Sequence, residues 1–282
     1  MPLPSQNTAF VETTILVNSL LKPGTQLKAE ADKSLKAFGA RELPEYSIRE
    51  FRAGPLQYCV WLHNCFVTEK TLSGALRRIH KVMGQQGKRA ATGIEMVATQ
   101  IELLSNGVKA PAAASLGVQY DLDTWMATEM RIALSTLILK AWAKRSYIAR
   151  NVHQLACHTD SKPKFEKNGR LIIPNRLCQT ADCSMRPALA GDIPALKALL
   201  AASDKQFPAA EAVRRSKVLR ELIKAKAGHP LPQEKCRALG DAIFAFFAPV
   251  TSAILTTNVR DHKLLAAAVG KVAVSPQEVL AP

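Results

Sequence analysis

Aromatic side chains are scarce in this 282-residue chain, at 6% of the total. So thin a supply argues against a surface that holds nucleic acid by stacking bases on rings. Acidic residues are also few, 23 Asp and Glu against 38 Lys and Arg, which leaves a formal charge of +15. An excess of that sign favours a polyanionic partner. Long apolar runs are missing. A typical stretch, Ile132–Ala143, is interrupted by Ser, Thr and Lys and is too short and polar to span a bilayer, so no membrane partner is expected. No basic segment followed by an apolar core opens the chain, so a cytoplasmic location is expected. Six cysteines in a chain of this length do not make a secreted disulfide scaffold. The glycines form neither a phosphate loop nor a dinucleotide fingerprint, and there is no Gly-x-Ser-x-Gly elbow. What remains is a globular composition, 48% hydrophobic and 22% charged, sufficient for one large domain or two small ones.

The informative residues lie toward the two ends of the chain. Ala9-Phe-Val reads as a strand that stops at Glu12 and passes through Thr13 and Thr14 into a helix, with Thr13 as a natural N-cap. Tyr46-Ser-Ile-Arg-Glu50 starts apolar and turns helical. Far downstream, Gly240-Asp241-Ala opens a helix with a carboxylate. Ala253-Ile-Leu is a buried strand that ends at Thr256-Thr257-Asn258, with Asp261 just beyond. Acids at strand ends and helix starts are how an open α/β fold assembles a metal site.

Taken together, these four pieces resemble the PIN-domain family. Its Asp-Thr-Asn-hydrophobic-Leu strand end is Glu12-Thr-Thr-Ile-Leu here. Its Glu-hydrophobic-x-x-Gly helix is Glu50-Phe-Arg-Ala-Gly, its Gly-Asp-Ala helix start is Gly240-Asp-Ala, and its last strand end is Thr256-Thr-Asn-Val-Arg-Asp-His. The pieces occur in family order and cover residues 9–58 and 233–270. The resemblance implies an α/β fold with a PIN-like three-layer core around a central, mainly parallel sheet. That core would be built from residues 1–60 and 229–282, with 61–228 as a mainly helical insertion. It further implies an endonuclease that hydrolyses phosphodiesters, most often in RNA, with Mg²⁺ or Mn²⁺ held by Glu12, Asp241 and Asp261. Glu50 would ligate the ion or orient the water. Asp261 or Asn258 would complete the shell, and Thr257 would hydrogen-bond a ligand or a phosphate. Small bacterial members are often toxins held by an inhibitory protein partner. The sequence departs from the family pattern at Glu12, one methylene longer than Asp, at Thr14 in place of Asn, and at His262 in place of an aromatic. Those departures keep a second reading open: a degraded PIN-like module that binds nucleic acid or protein without cutting.

The stretch between the two halves reads as mostly helical. Phe66–Leu104 is helical in period with a break at Gly84–Gly87. Gln119–Val152 contains a long amphipathic helix whose apolar face includes Leu122, Met130, Leu134 and Ala141. Asp192-Ile-Pro194 caps a helix, and Ala209–Ala227 forms another. Three basic runs lie on these helices: Arg77, Arg78, Lys81, Lys88 and Arg89; Lys140, Lys144, Arg145 and Arg150; and Arg214, Arg215, Lys217, Arg220, Lys224 and Lys226. They are either solvated faces or walls that hold phosphates over an acidic centre. Cys59, Cys65 and Cys236 fall on apolar stretches and read as buried. Cys157, His158, Cys178 and Cys183, with His153 as a competitor, bracket a polar loop at 153–183 and form a candidate structural zinc site.

Overall fold

The computed structural model describes residues 7–82, 95, 98–99, 121–152, 162–174, 184–206, 209–224 and 231–281. Strand β1 (Thr8–Val11) passes directly into α1 (Thr13–Leu21), followed by α2 (Gln26–Lys36) and β2 (Ala40–Pro44). Helix α3 (Glu45–Phe51) follows β2 without a loop. Pro55 has no N–H to give, and around it the helix widens into one π turn, Arg52–Leu56, before α4 (Gln57–Glu69) resumes. Then come α5 (Leu72–His80), the long α6 (Leu122–Ile148), β3 (Arg150–Val152) and a small hairpin of β4 (Lys164–Phe165) and β5 (Leu171–Ile172). Helices α7 (Met185–Ala190), α8 (Ile193–Lys205), α9 (Ala210–Lys224), α10 (Gln233–Leu239) and α11 (Asp241–Phe247) precede β6 (Ser252–Leu255). The chain closes with α12 (Val259–Ala268), β7 (Val272–Val274) and α13 (Pro276–Leu280).

Five strands form one sheet in the order β3-β2-β1-β6-β7, and every neighbouring pair is parallel. The protein is therefore an α/β fold around a parallel sheet. Successive strand residues point to opposite faces, and the burial follows that period. Ala9 and Val11 of β1 join Ala253 and Leu255 of β6 in one core cluster with α1 to α6. Phe10 and Ile254, paired in register, join the other cluster with α7 to α12. Both faces are thus covered by helices, as a parallel sheet requires. Strands β1 and β6 lie side by side at the centre, with β2 outside one and β7 outside the other. The strand order reverses at that point, which is where an open α/β sheet leaves a crevice at its carboxyl edge.

Residues 150–152, at the end of the stretch read as containing the long helix, form an edge strand paired with β2. Two local expectations need correction. Leu122, placed on the buried face of that helix, is 58% exposed, whereas Ala127, Met130, Leu134, Ile138 and Ala141 form the buried stripe. The helical stretch after Phe66 breaks at Lys70, which adopts φ 59° beyond α4, and Thr71 then caps α5. The break expected at Gly84–Gly87 lies outside the described residues. Among the described residues, no helix is long and apolar enough to cross a membrane.

Candidate active site at the carboxyl edge of the sheet

Glu12 follows the last residue of β1, and its backbone N–H still donates to the Leu255 carbonyl of β6 at 3.1 Å. Its side chain is 4% exposed. Oε2 accepts from the Thr14 N–H at 3.0 Å, from the Thr14 hydroxyl, and from the Thr256 hydroxyl at 3.1 Å. Glu12, not Thr13, is therefore the N-cap of α1. The Thr13 hydroxyl is free for another partner and donates to Glu50 Oε2 at 2.7 Å. The two threonines of this turn thus each hold one of the two glutamates. Thr14 also accepts from the Thr257 N–H at 3.2 Å, which fastens the β1 end to the β6 end.

The β6 end is built in the same way. Thr256 is fully buried and its hydroxyl accepts from the Asn258 N–H at 2.9 Å. Asn258 Nδ2 then bridges two acids, Asp241 Oδ2 and Asp261 Oδ2, each at 3.2 Å. Asp241 is placed by Gly240, which sits at φ +45°, ψ −119° and lets α10 end and α11 begin without a loop. Two basic side chains flank the Asp241 carboxylate. His262 Nε2 lies 3.2 Å from Oδ1, close enough for an ion pair although off the line of a hydrogen bond. Arg215 of α9 lies 3.8 Å from Oδ2. Arg215 donates to Gln206 Oε1 at 2.6 Å, and the Gln206 amide in turn contacts Asp261 Oδ1 at 3.4 Å. His262 is completely buried and stands edge-on to Phe244, which stands edge-on to Tyr46.

Electrostatics link the groups into one cluster. Burial pushes the Glu12 carboxyl above its ordinary range, opposed by the His262 charge and the Thr14 hydrogen bonds. Burial also raises Glu50, to about 7, with the Thr13 hydrogen bond opposing and the charges of Glu12 and Asp241 adding to the rise. Asp241 behaves in the opposite way. Burial works against its charge, but the contact with His262 and the charge of Arg215 hold it below its usual value. Burial likewise works against an imidazolium at His262, yet Asp241, Glu12 and Glu50 together raise it. His262 therefore stands among three acids, Glu12, Glu50 and Asp241, drawn from both ends of the chain, and their charges favour its protonated form.

No protein-family model matches this chain, and no curated protein or solved structure is significantly similar to it.

The donors that converge here are oxygens, the ligand type suited to Mg²⁺ or Mn²⁺. Burial raises both Glu12 and Glu50, the charge of Asp241 adds at each and that of Glu12 adds at Glu50, and a bound cation would relieve that state. The residues fit such an ion in chemistry: Glu12, Asp241 and Asp261 are the carboxylates available to hold it. Among the described residues, no three His, Cys, Asp or Glu side chains are already closed into a cage.

The structure brings together Glu12, Glu50, Asp241, Asn258 and Asp261. Thr257 is exposed and contributes its backbone N–H, whereas its neighbour Thr256 touches Glu12 through its side chain. Arg215, Gln206 and the partner role of His262 were not anticipated. A signal for Arg215 existed: it shares a helical face with Ala212, Leu219 and Leu222, all buried. Cys59, Cys65 and Cys236 are buried thiols outside any disulfide, and their burial is as expected. Cys157, His158, Cys178, Cys183 and His153 lie outside the described residues, as do Lys88, Arg89 and Lys226.

Proposed function

We propose that the protein is a PIN-like, metal-dependent endonuclease of the cytoplasm that hydrolyses phosphodiester bonds in RNA. One observation carries the reading. Acids from both ends of the chain, Glu12 and Glu50 with Asp241, come together at the carboxyl edge of a parallel sheet, where its strand order reverses. The order of the four motif pieces and the basic surplus support it.

Each residue then has a task. Glu50 orients the attacking water and accepts its proton as the base of the site. Thr13 holds that carboxylate in place. Glu12 and Asp241 hold the divalent ion, with Asp261 completing the set and Asn258 keeping Asp241 and Asp261 in register. A bound Mg²⁺ or Mn²⁺ would supply Lewis acidity and neutralise charge that builds on the phosphoryl oxygens. His262 fixes the orientation of Asp241 from the buried side.

A second reading is favoured by one feature. Arg215 and His262 already stand against the two Asp241 oxygens, so a PIN-like module that binds RNA without cutting it would need no metal. A cleavage assay on mixed RNA with Mn²⁺ separates the two. The nuclease reading expects cutting that chelation abolishes and that Asp241→Ala reduces on the order of 100-fold. Binding with no cutting under any divalent ion selects the module, and equal cutting by wild type and variant removes the enzyme.

A further inference from the structure

A groove of about 1010 Å³ opens from Asp241 between α9 and α10. Arg214, Arg215 and Arg237 line it, together with Glu211 and Glu234. Its volume is at the top of the range for small-molecule pockets, so it holds more than the scissile group itself. No aromatic side chain lines it, so it has no surface on which a base can stack. Its floor is a preorganised guanidinium. Arg215 is 4% exposed, one of its terminal nitrogens is fixed on Gln206, another lies beside Asp241, and its Nε has no hydrogen-bond partner. A guanidinium is a planar fork suited to phosphate, although the Nε of Arg215 is itself shut off from the groove. Arg214 and Arg237 stand exposed at the rim, neither with an ion-pair partner among the described residues. Other members of the basic run on α9 are differently engaged: Arg220 is paired with Asp204 on α8.

We infer that this groove binds the phosphodiester backbone of a single nucleic-acid strand on one side of the bond to be cut, with Arg215 on the nearest phosphate and Arg214 and Arg237 on those beyond. The inference rests on the nuclease reading of the carboxylate cluster, since it takes the strand to continue from that point. Three cations and three acids line the groove, so its formal charge is balanced. Binding there comes from direct contact with phosphates and not from long-range attraction. The sugar and the base are not read.

The test is salt-dependent binding of a short mixed-sequence single-stranded RNA in EDTA, where no cutting occurs. Each phosphate contact to a single strand contributes about 0.7 to the slope of log K against log salt concentration. The double variant Arg214→Ala/Arg237→Ala alters only exposed side chains and should flatten the slope by about 1.4. Lys140→Ala/Lys144→Ala, on the remote face of α6, should leave it unchanged. Arg215→Lys keeps the charge but loses the fork, and should weaken binding roughly 10-fold at an unchanged slope. Single-stranded DNA should bind alike. An unchanged slope in the first variant, an equal loss in both pairs, or binding confined to RNA would overturn the assignment. Normal slopes and variant effects without Mn²⁺-dependent cutting would sink the nuclease reading and leave the groove standing. Cutting with an unchanged slope would do the reverse.

Discussion

Hydroxyl groups do much of the positioning in this site. Thr13, Thr14 and Thr256 each donate to a buried glutamate, and each is a residue that a sequence reader passes over as a helix cap or a turn. Glu50 shows how far such support extends. Its carboxyl sits near 7, so between about pH 4.5 and 7 the folded protein holds a proton that the unfolded chain has released. Stability must therefore fall as pH rises through that window and level off above it. The shift corresponds to on the order of 3 kcal/mol. Glu50→Gln removes the titrating group. In EDTA it should match wild type at about pH 5 and exceed it by roughly 2–3 kcal/mol at about pH 8, as read by urea unfolding at both values.

Elements meet at this site without loops. Helix α3 follows β2 directly, and α11 follows α10 through Gly240 alone. Gly240 occupies φ +45°, a conformation open to glycine and strained for other residues, whereas an added Cβ would meet only ordinary contact with the Arg237 carbonyl at 3.6 Å. The expected penalty for Gly240→Ala is backbone strain, about 1–3 kcal/mol in denaturant unfolding. The strained turn should also displace Asp241 and lower cleavage at conditions where the variant is fully folded. A variant as stable and as active as wild type would show that the turn is not what places the carboxylate.

At the scale of the whole molecule, the cluster is an electrostatic burden that a bound ion would lighten, so the proposed function links ion binding to folding. Mn²⁺ or Mg²⁺ at roughly 100 times its Kd should stabilise the protein by about 2.7 kcal/mol, and EDTA should remove that gain. Thermal melts with and without metal, run beside Asp241→Asn, read it directly; the variant should lose most of the metal response. Much of this architecture was legible beforehand. Ala9-Phe-Val and Ala253-Ile-Leu announce strands buried on both faces, because apolar residues on successive positions must point both ways. Glu12, Asp241, Asn258 and Asp261 are marked by their places at strand ends and helix starts. The edge strand at 150–152 was not legible, since it is three residues long and runs straight on from a helix. Arg215 was hidden in a run of like charges, and His262 was read only as a departure from an aromatic. Local order along the chain depends on short-range periodicity and capping, which the sequence carries by itself. Which distant groups share a crevice depends on the pairing of β1 with β6 and on how α9 packs against α8 and α10. Those choices come from burial summed over the whole core, and no segment contains them alone.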